Sequence, residues 1–203
     1  MALTKLRNTI KVRGDDSREN LGLVHVVTGD GKGKTTSSLG LAMRAMGNNL
    51  RVYMIQFLKS GVTGEIYSAK KLGFIIEQFG VDALKEKQKH LQEFSDKTGA
   101  FVFNPDIKEK EAAIQGWEHA KKIIKSGEYD VVILDEINCV LEKGLVPLQE
   151  VLGIVKEHGK VELIFTGRDA PKELMEAADY VNIINFVKHP WQKGIVARKG
   201  IEY

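Results

Sequence analysis

With one cysteine, Cys139, in 203 residues, the chain has no second thiol for an internal disulfide and no thiolate set for a metal cluster. The apolar context of Cys139 predicts a buried thiol, so redox chemistry by the protein itself is not expected. Long apolar runs are also missing. The longest, such as residues 131–134, fall far short of the about 20 residues a membrane helix needs, and no span is expected. The first twenty residues mix Lys5, Arg7, Lys11 and Arg13 with Asp15, Asp16 and Glu19 and hold no apolar core, so they do not read as a secretory leader, and a cytoplasmic protein is expected. Charge of one sign is not in strong excess: 30 Lys and Arg against 27 Asp and Glu give +3. That balance fits small anionic ligands as well as nucleic acid. There are no repeats, no low-complexity tract and no aromatic-interleaved basic stripe of the kind single-strand binders use, so no nucleic-acid partner is expected.

The 43% hydrophobic content is enough to fill one core between a sheet and its helices. Residues 1–20 read as a polar N-terminal arm and 21–203 as one domain. Within the domain, short β-rich runs at 23–28, 51–57, 75–79, 131–135, 162–166 and 180–186 alternate with helical patterns. The helix after the first run carries Leu39, Ala42, Met43 and Met46 and stops at Gly47-Asn48-Asn49. Further helices are predicted over 65–72, over a long segment ending near Lys125 with Ala113, Trp117, Ala120 and Ile124 on one face, around Leu148, Val151, Leu152 and Val155, and over 171–178. This alternation predicts an α/β fold, a mostly parallel sheet with helices on both faces, with ligands at the strand C-termini. Residues 84–98 and 99–106 fall outside the pattern. The mixed charges of the first stretch read as a solvated helix face.

Gly29, Asp30, Gly31, Lys32, Gly33, Lys34, Thr35 and Thr36 lie between a predicted strand and a predicted helix, the setting a P-loop requires. The glycines let backbone N–H groups turn toward phosphate oxygens, the helix N-terminus adds partial positive charge, Lys34 supplies a cation and Thr35 a hydroxyl for Mg²⁺. Together they predict ATP binding in a P-loop NTPase (RecA-like) fold. Counting back from Gly33-Lys34-Thr35, the usual first glycine position holds Thr28, and Gly29 stands one residue later. The loop is effectively short, so the γ-phosphate need not occupy its usual place. Downstream, four apolar residues at 131–134 lead into Asp135 and Glu136, a strand that delivers carboxylates to the metal beside the loop. Thr35, Asp135 and Glu136 are therefore the candidate metal ligands, and Lys34, Thr35 and Glu136 the candidate catalytic residues.

A P-loop identifies the ligand and not the reaction. Several further motifs accompany it: Arg44-Ala45-Met46-Gly47, Gln56-Phe57 with Lys59, Gly64-Glu65, Trp117 with His119-Ala120-Lys121, Leu134-Asp135-Glu136, Pro147-Leu148, Thr166-Gly167-Arg168, Lys188-His189, and Gly194, Ala197, Gly200 and Ile201. In this order, over residues 23–203, the chain resembles the P-loop ATP:corrinoid (cob(I)alamin) adenosyltransferases. The resemblance implies transfer of the 5′-deoxyadenosyl group of ATP to the Co(I) centre of a corrinoid substrate, with triphosphate leaving and ATP reversed in the loop. Co(I) is itself the nucleophile, so the protein needs none of its own. Arg44 and Arg168 match family motifs and join the candidate ATP-binding residues. Gln56, Phe57, Lys59, Glu65, Phe101 and Phe103 are the candidate corrinoid-binding set, with Phe103 standing where the family pattern has Trp. The D-x-H-x-x-G pattern of cobalamin-carrying modules is absent, and His119 and His189 have no helix-spaced second ligand, so the corrinoid is expected as a substrate and neither histidine as a metal ligand. The resemblance also implies a homodimer, a transient electron donor such as a flavodoxin, and an N-terminal segment able to close over an active site. Two alternatives stay open on the residues alone: a P-loop kinase or ATPase, which would release ADP or phosphate, and a regulatory ATP-binding module.

Overall fold

A computed structural model describes residues 18–61, 63–80 and 107–203. The predicted contacts at Phe101 and Phe103 and most of the polar arm lie outside them. Six strands, β1 (Val24–Thr28), β2 (Val52–Phe57), β3 (Ile75–Phe79), β4 (Val131–Asp135), β5 (Glu162–Thr166) and β6 (Tyr180–Ile183), form one sheet in the order β3-β2-β4-β5-β1-β6. Every neighbouring pair is parallel. The helices are α1 (Lys34–Gly47), α2 (Gly64–Leu72), α3 (Ile107–Ser126), α4 (Ile137–Glu142), α5 (Leu148–Glu157) and α6 (Lys172–Ala177).

Strand alternation divides the core into two layers. Tyr53, Ile55, Phe57, Val132, Leu134, Leu163 and Phe165 point to one face, where they meet Ala113, Trp117 and Ala120 of α3 and the apolar sides of α4, α5 and α6. Val52, Met54, Val131, Ile133 and Ile164 point to the other, beneath Ala42 and Ala45 of α1 and Ala69 of α2. The α/β fold with helices on both faces is thus what the sequence pattern predicts, and the sheet is parallel throughout the described strands.

Two elements differ from the expectation. Helix α4 was not expected; its six residues, four of them buried, are too few for a helical period to stand out. The last strand stops at Ile183 instead of 186 because its partner β1 ends there: the Ile184 amide donates to the carbonyl of Thr28, the last residue of β1, at 2.8 Å, and the Ile184 carbonyl then accepts from the Gly31 amide of the phosphate loop at 2.8 Å. A Cβ on Gly31 would come within 2.7 Å of the Asn185 carbonyl oxygen, so this approach requires glycine there.

Candidate active site

Register assembles the site. Gln56 lies opposite Asp135, and Leu134 opposite Phe165, which sets Asp135 beside Thr166 at the carboxyl ends of β2, β4 and β5. Gln56, Asp135 and Thr166 share the strand parity of Met54, Ile133 and Ile164, so they extend those apolar columns on the α1 face as a polar row. All three are fully buried. Burying a carboxylate is costly unless it is thoroughly hydrogen-bonded, and Asp135 is. Its Oδ1 accepts from the hydroxyls of Thr35 (2.9 Å) and Thr166 (2.6 Å). Its Oδ2 accepts from Gln56 Nε2 (3.0 Å) and Lys59 Nζ (2.7 Å). Gln56 also donates to Glu65 Oε1 (3.1 Å), and Gln78 Nε2 donates to Gln56 Oε1 (3.0 Å), which fixes the orientation of the Gln56 amide.

Lys34, at the first turn of α1, is 8% exposed and donates to the carbonyls of Gly29 and Gly31, both at 2.7 Å. Burial pulls its pKa below the usual lysine value; the charge of Glu136 opposes this and that of Arg168 adds to it. For Lys59 burial acts in the same direction, but the charge and hydrogen bond of Asp135, with Glu136 and Glu65, outweigh it and hold the ammonium above its ordinary value. Burial would raise the Glu65 carboxyl, yet the Gln56 hydrogen bond, a backbone amide and Lys59 keep it below the usual range. Glu136 sits in the left-handed region at φ 64° and begins α4. Its carboxylate accepts from Cys139 Sγ at 3.1 Å, and burial together with that neighbour pushes the Cys139 thiol up to about 12. Cys139 is therefore a protonated, half-buried thiol.

A cavity of about 940 Å³ opens over this row. The phosphate loop forms its floor, with Lys59, Glu65, Glu136 and Arg168 along one side. Its other walls are Leu39 and Met43 of α1, Leu72 at the end of α2 and Phe74 beyond it, and Phe186, His189 and residues 200–203 of the C-terminal segment. Most of these wall residues escaped the sequence reading, because the contact between residue 32 and residue 201 (Lys32 Nζ to the Ile201 carbonyl, 3.4 Å) has no local signature.

The predicted site residues divide accordingly. Asp30, Gly31, Lys32, Gly33, Lys34, Thr35, Thr36 and Arg168 line the cavity, and Gly29 makes the turn beneath it at φ 101°. Arg44 is exposed on α1 and does not line it, because the buried stripe of that helix runs through Lys34, Ser38, Ala42 and Ala45. Of the residues expected at a corrinoid, Lys59 and Glu65 join the Asp135 cluster, and Gln56 is buried beneath it. Phe57 has the opposite strand parity and packs under Gly116 of α3, away from the phosphate side. Two residues of this cluster were not among the predicted site residues: Thr166, whose hydroxyl also accepts from the Glu136 amide at 3.1 Å, and Gln78. Each is a polar residue at or near a strand end, a signal the sequence does carry.

The donors beside the loop are all hard oxygens, from Thr35, Asp135, Glu136 and Glu65. Among the described residues, no three His, Cys, Asp or Glu side chains converge as a dedicated metal cage. This set fits Mg²⁺, which binds through one or two protein oxygens and completes its shell with water and substrate phosphates. No described helix is long and apolar enough to cross a membrane.

A family model described as ATP:corrinoid adenosyltransferase BtuR/CobO/CobP matches residues 20–203. The chain is 30% identical to the corrinoid adenosyltransferase of Escherichia coli (strain K12) over 98% of its own length and 94% of that protein's. It is 30% identical to corrinoid adenosyltransferase CobA of Salmonella typhimurium over the same shares, and 31% identical to the corrinoid adenosyltransferase of Pseudomonas aeruginosa over 92% and 86%. Among solved structures, the flagellar accessory protein FlaH from Methanocaldococcus jannaschii shares the fold at a TM-score of 0.51 and 16% identity, over 80% of this chain and 71% of that one.

Proposed function

This chain belongs to the ATP:corrinoid adenosyltransferase family, and we propose that its phosphate loop grips the triphosphate of ATP while the adenosyl C5′ faces a reduced corrinoid in the open part of the cavity. The enzyme is a transferase whose substrates are ATP and a corrinoid. The observation that carries the assignment of roles is Lys34 and Thr35 at the floor of the cavity, with the buried Asp135 accepting from Thr35 behind them; the cavity's volume lies near the top of the about 300–1,000 Å³ typical of ligand sites.

In the reaction a bond forms between cobalt and C5′ as the C5′–O bond breaks, and the electron pair of the broken bond leaves on triphosphate. The protein's task is electrostatic and geometric. Lys34 and the loop amides stabilise charge on the departing triphosphate, and Arg168 adds a cation at the cavity wall. Magnesium, held by Thr35 with Asp135 or Glu136, supplies further neutralisation of the polyphosphate when bound. Cys139, protonated and donating to Glu136, serves as a support and not as a nucleophile. The same reading places the enzyme in the cytoplasm as a homodimer served by an electron donor such as a flavodoxin.

The test is an anaerobic assay with Mg·ATP and chemically reduced corrinoid, following the light-sensitive cobalt–carbon product. Lys34→Ala is expected to lower its rate by about 100-fold or more, the scale of removing one preorganised charge-stabilising donor. An unchanged rate in the variant would remove Lys34 from the role assigned to it.

A further inference from the structure

The position that a P-loop metal shares with the loop hydroxyl and the strand-end carboxylate carries an internal cation. Lys59 Nζ is 2.7 Å from Asp135 Oδ2, 3.4 Å from Thr35 Oγ1 and 3.8 Å from Glu65 Oε1. The ammonium is delivered there by constrained backbone. Leu58 adopts φ 56°, uncommon for a residue with a side chain, and its amide donates to the Phe79 carbonyl at 2.9 Å. Gly80 packs so closely that a Cβ there would fall 2.6 Å from the Lys59 backbone nitrogen and oxygen. A strained turn and a glycine contact that hold one lysine against a fully buried aspartate are features of a positioned group, not of a wandering surface side chain.

We propose that Lys59 is the built-in counter-ion of the metal site, and that it makes divalent-ion binding depend on ATP. The inference rests on the assignment of Thr35 and Asp135 to Mg²⁺. An ammonium and a divalent ion on the same carboxylate repel each other, so Mg²⁺ alone gains little by entering while Lys59 is seated. ATP changes the balance, because its triphosphate offers Lys59 a new anionic partner at the cavity wall and offers the metal its remaining oxygen ligands. Lys59 is a positioning residue: it holds the Asp135 carboxylate aligned through the 2.7 Å hydrogen bond, and it couples the metal and the nucleotide reciprocally.

The experiment measures Mn²⁺ retained by the protein in equilibrium dialysis, with and without ATP, for the wild type, Lys59→Met and Lys59→Arg, alongside melting curves with Mg²⁺ alone. The wild type and Lys59→Arg are expected to retain about one Mn²⁺ per chain only with ATP. Lys59→Met is expected to bind Mn²⁺ without ATP at least tenfold more tightly than the wild type, and to gain melting temperature on addition of Mg²⁺ alone, which the wild type does not. Lys59→Gln serves as the second charge-removing variant if the methionine variant does not fold. Tight Mn²⁺ binding by the wild type without ATP, or no gain in either neutral variant, overturns the proposal. Failure of the wild type to retain Mn²⁺ even with ATP would instead overturn the metal-site assignment beneath it.

Discussion

At the scale of the residue, Asp135 concentrates the design. It is an acceptor-only group met by four donors, two on each oxygen: Thr35 and Thr166, Gln56 and Lys59. In Asp135→Asn the amide nitrogen faces two donors whichever way the group is turned, and Lys59 loses its main anion. With Lys59 itself 26% exposed, the expected loss is about 2–4 kcal/mol, somewhat below that for breaking a fully buried pair. Urea unfolding measures it, and a change within error would show that the cluster does not hold the sheet end together. How far such residues could be read from sequence depended on what each needs. The phosphate loop was legible because its chemistry is local. Gln56 and Phe57 were both legible as strand-end residues, but only their opposite parity in the pleat separates one that faces the loop from one that packs beneath α3.

At the scale of the element, two junctions hold the helices and strands in register. Helix α3 approaches the sheet at Gly116, where a Cβ would stand 2.8 Å from Phe79 Cβ and 2.9 Å from Phe57 Cε1. Gly116→Ala is therefore expected to destabilise the protein by about 1–3 kcal/mol despite its better helix propensity, the cost of overpacking a filled core. A more stable variant in urea unfolding would mean that α3 can shift outward freely. The start of β1 is pinned by Glu162 of β5, which accepts from the amides of Gly22 and Leu23, both at 2.9 Å, and pairs with His25 at 2.6 Å. Burial opposes ionisation there, but His25 and the two amides outweigh it and hold the carboxyl below its ordinary value. A depressed carboxyl pKa contributes stability above the unfolded value, about 4.3 for Glu, and that contribution fades as pH falls through the folded value. The stability advantage of the wild type over Glu162→Gln should thus be full near pH 7 and shrink below about pH 4. A pH-independent difference between the two unfolding curves would contradict the assignment. Helix α4 illustrates the limit of sequence reading at this scale, since six residues after a left-handed Glu136 are placed by the site and not by periodicity.

At the scale of the molecule, the cavity joins parts that are distant in sequence. The loop at 29–36 meets 184–186 through the backbone bond from the Gly31 amide to the Ile184 carbonyl and through the Phe186 amide, which donates to Asp30 Oδ1, and residues 200–203 close one wall. The order β3-β2-β4-β5-β1-β6 brings the ends of β1, β4 and β5 together, so the loop, Asp135 and Thr166 converge although Thr35 and Asp135 are 100 residues apart in the chain and Asp135 and Thr166 another 31. That convergence was legible in outline, because alternating strands and helices impose a parallel sheet with its ligands at the carboxyl edge. Which residues would wall the cavity was not, because Phe74, Phe186 and Tyr203 reach it only through tertiary register. On the proposed reading, this floor holds triphosphate as a leaving group and does not cut within it. The direct measurement is phosphorus NMR of the products of one anaerobic turnover with Mg·ATP and reduced corrinoid. Intact triphosphate, one per adenosylated corrinoid, is the predicted result; ADP or orthophosphate as the primary product would contradict it.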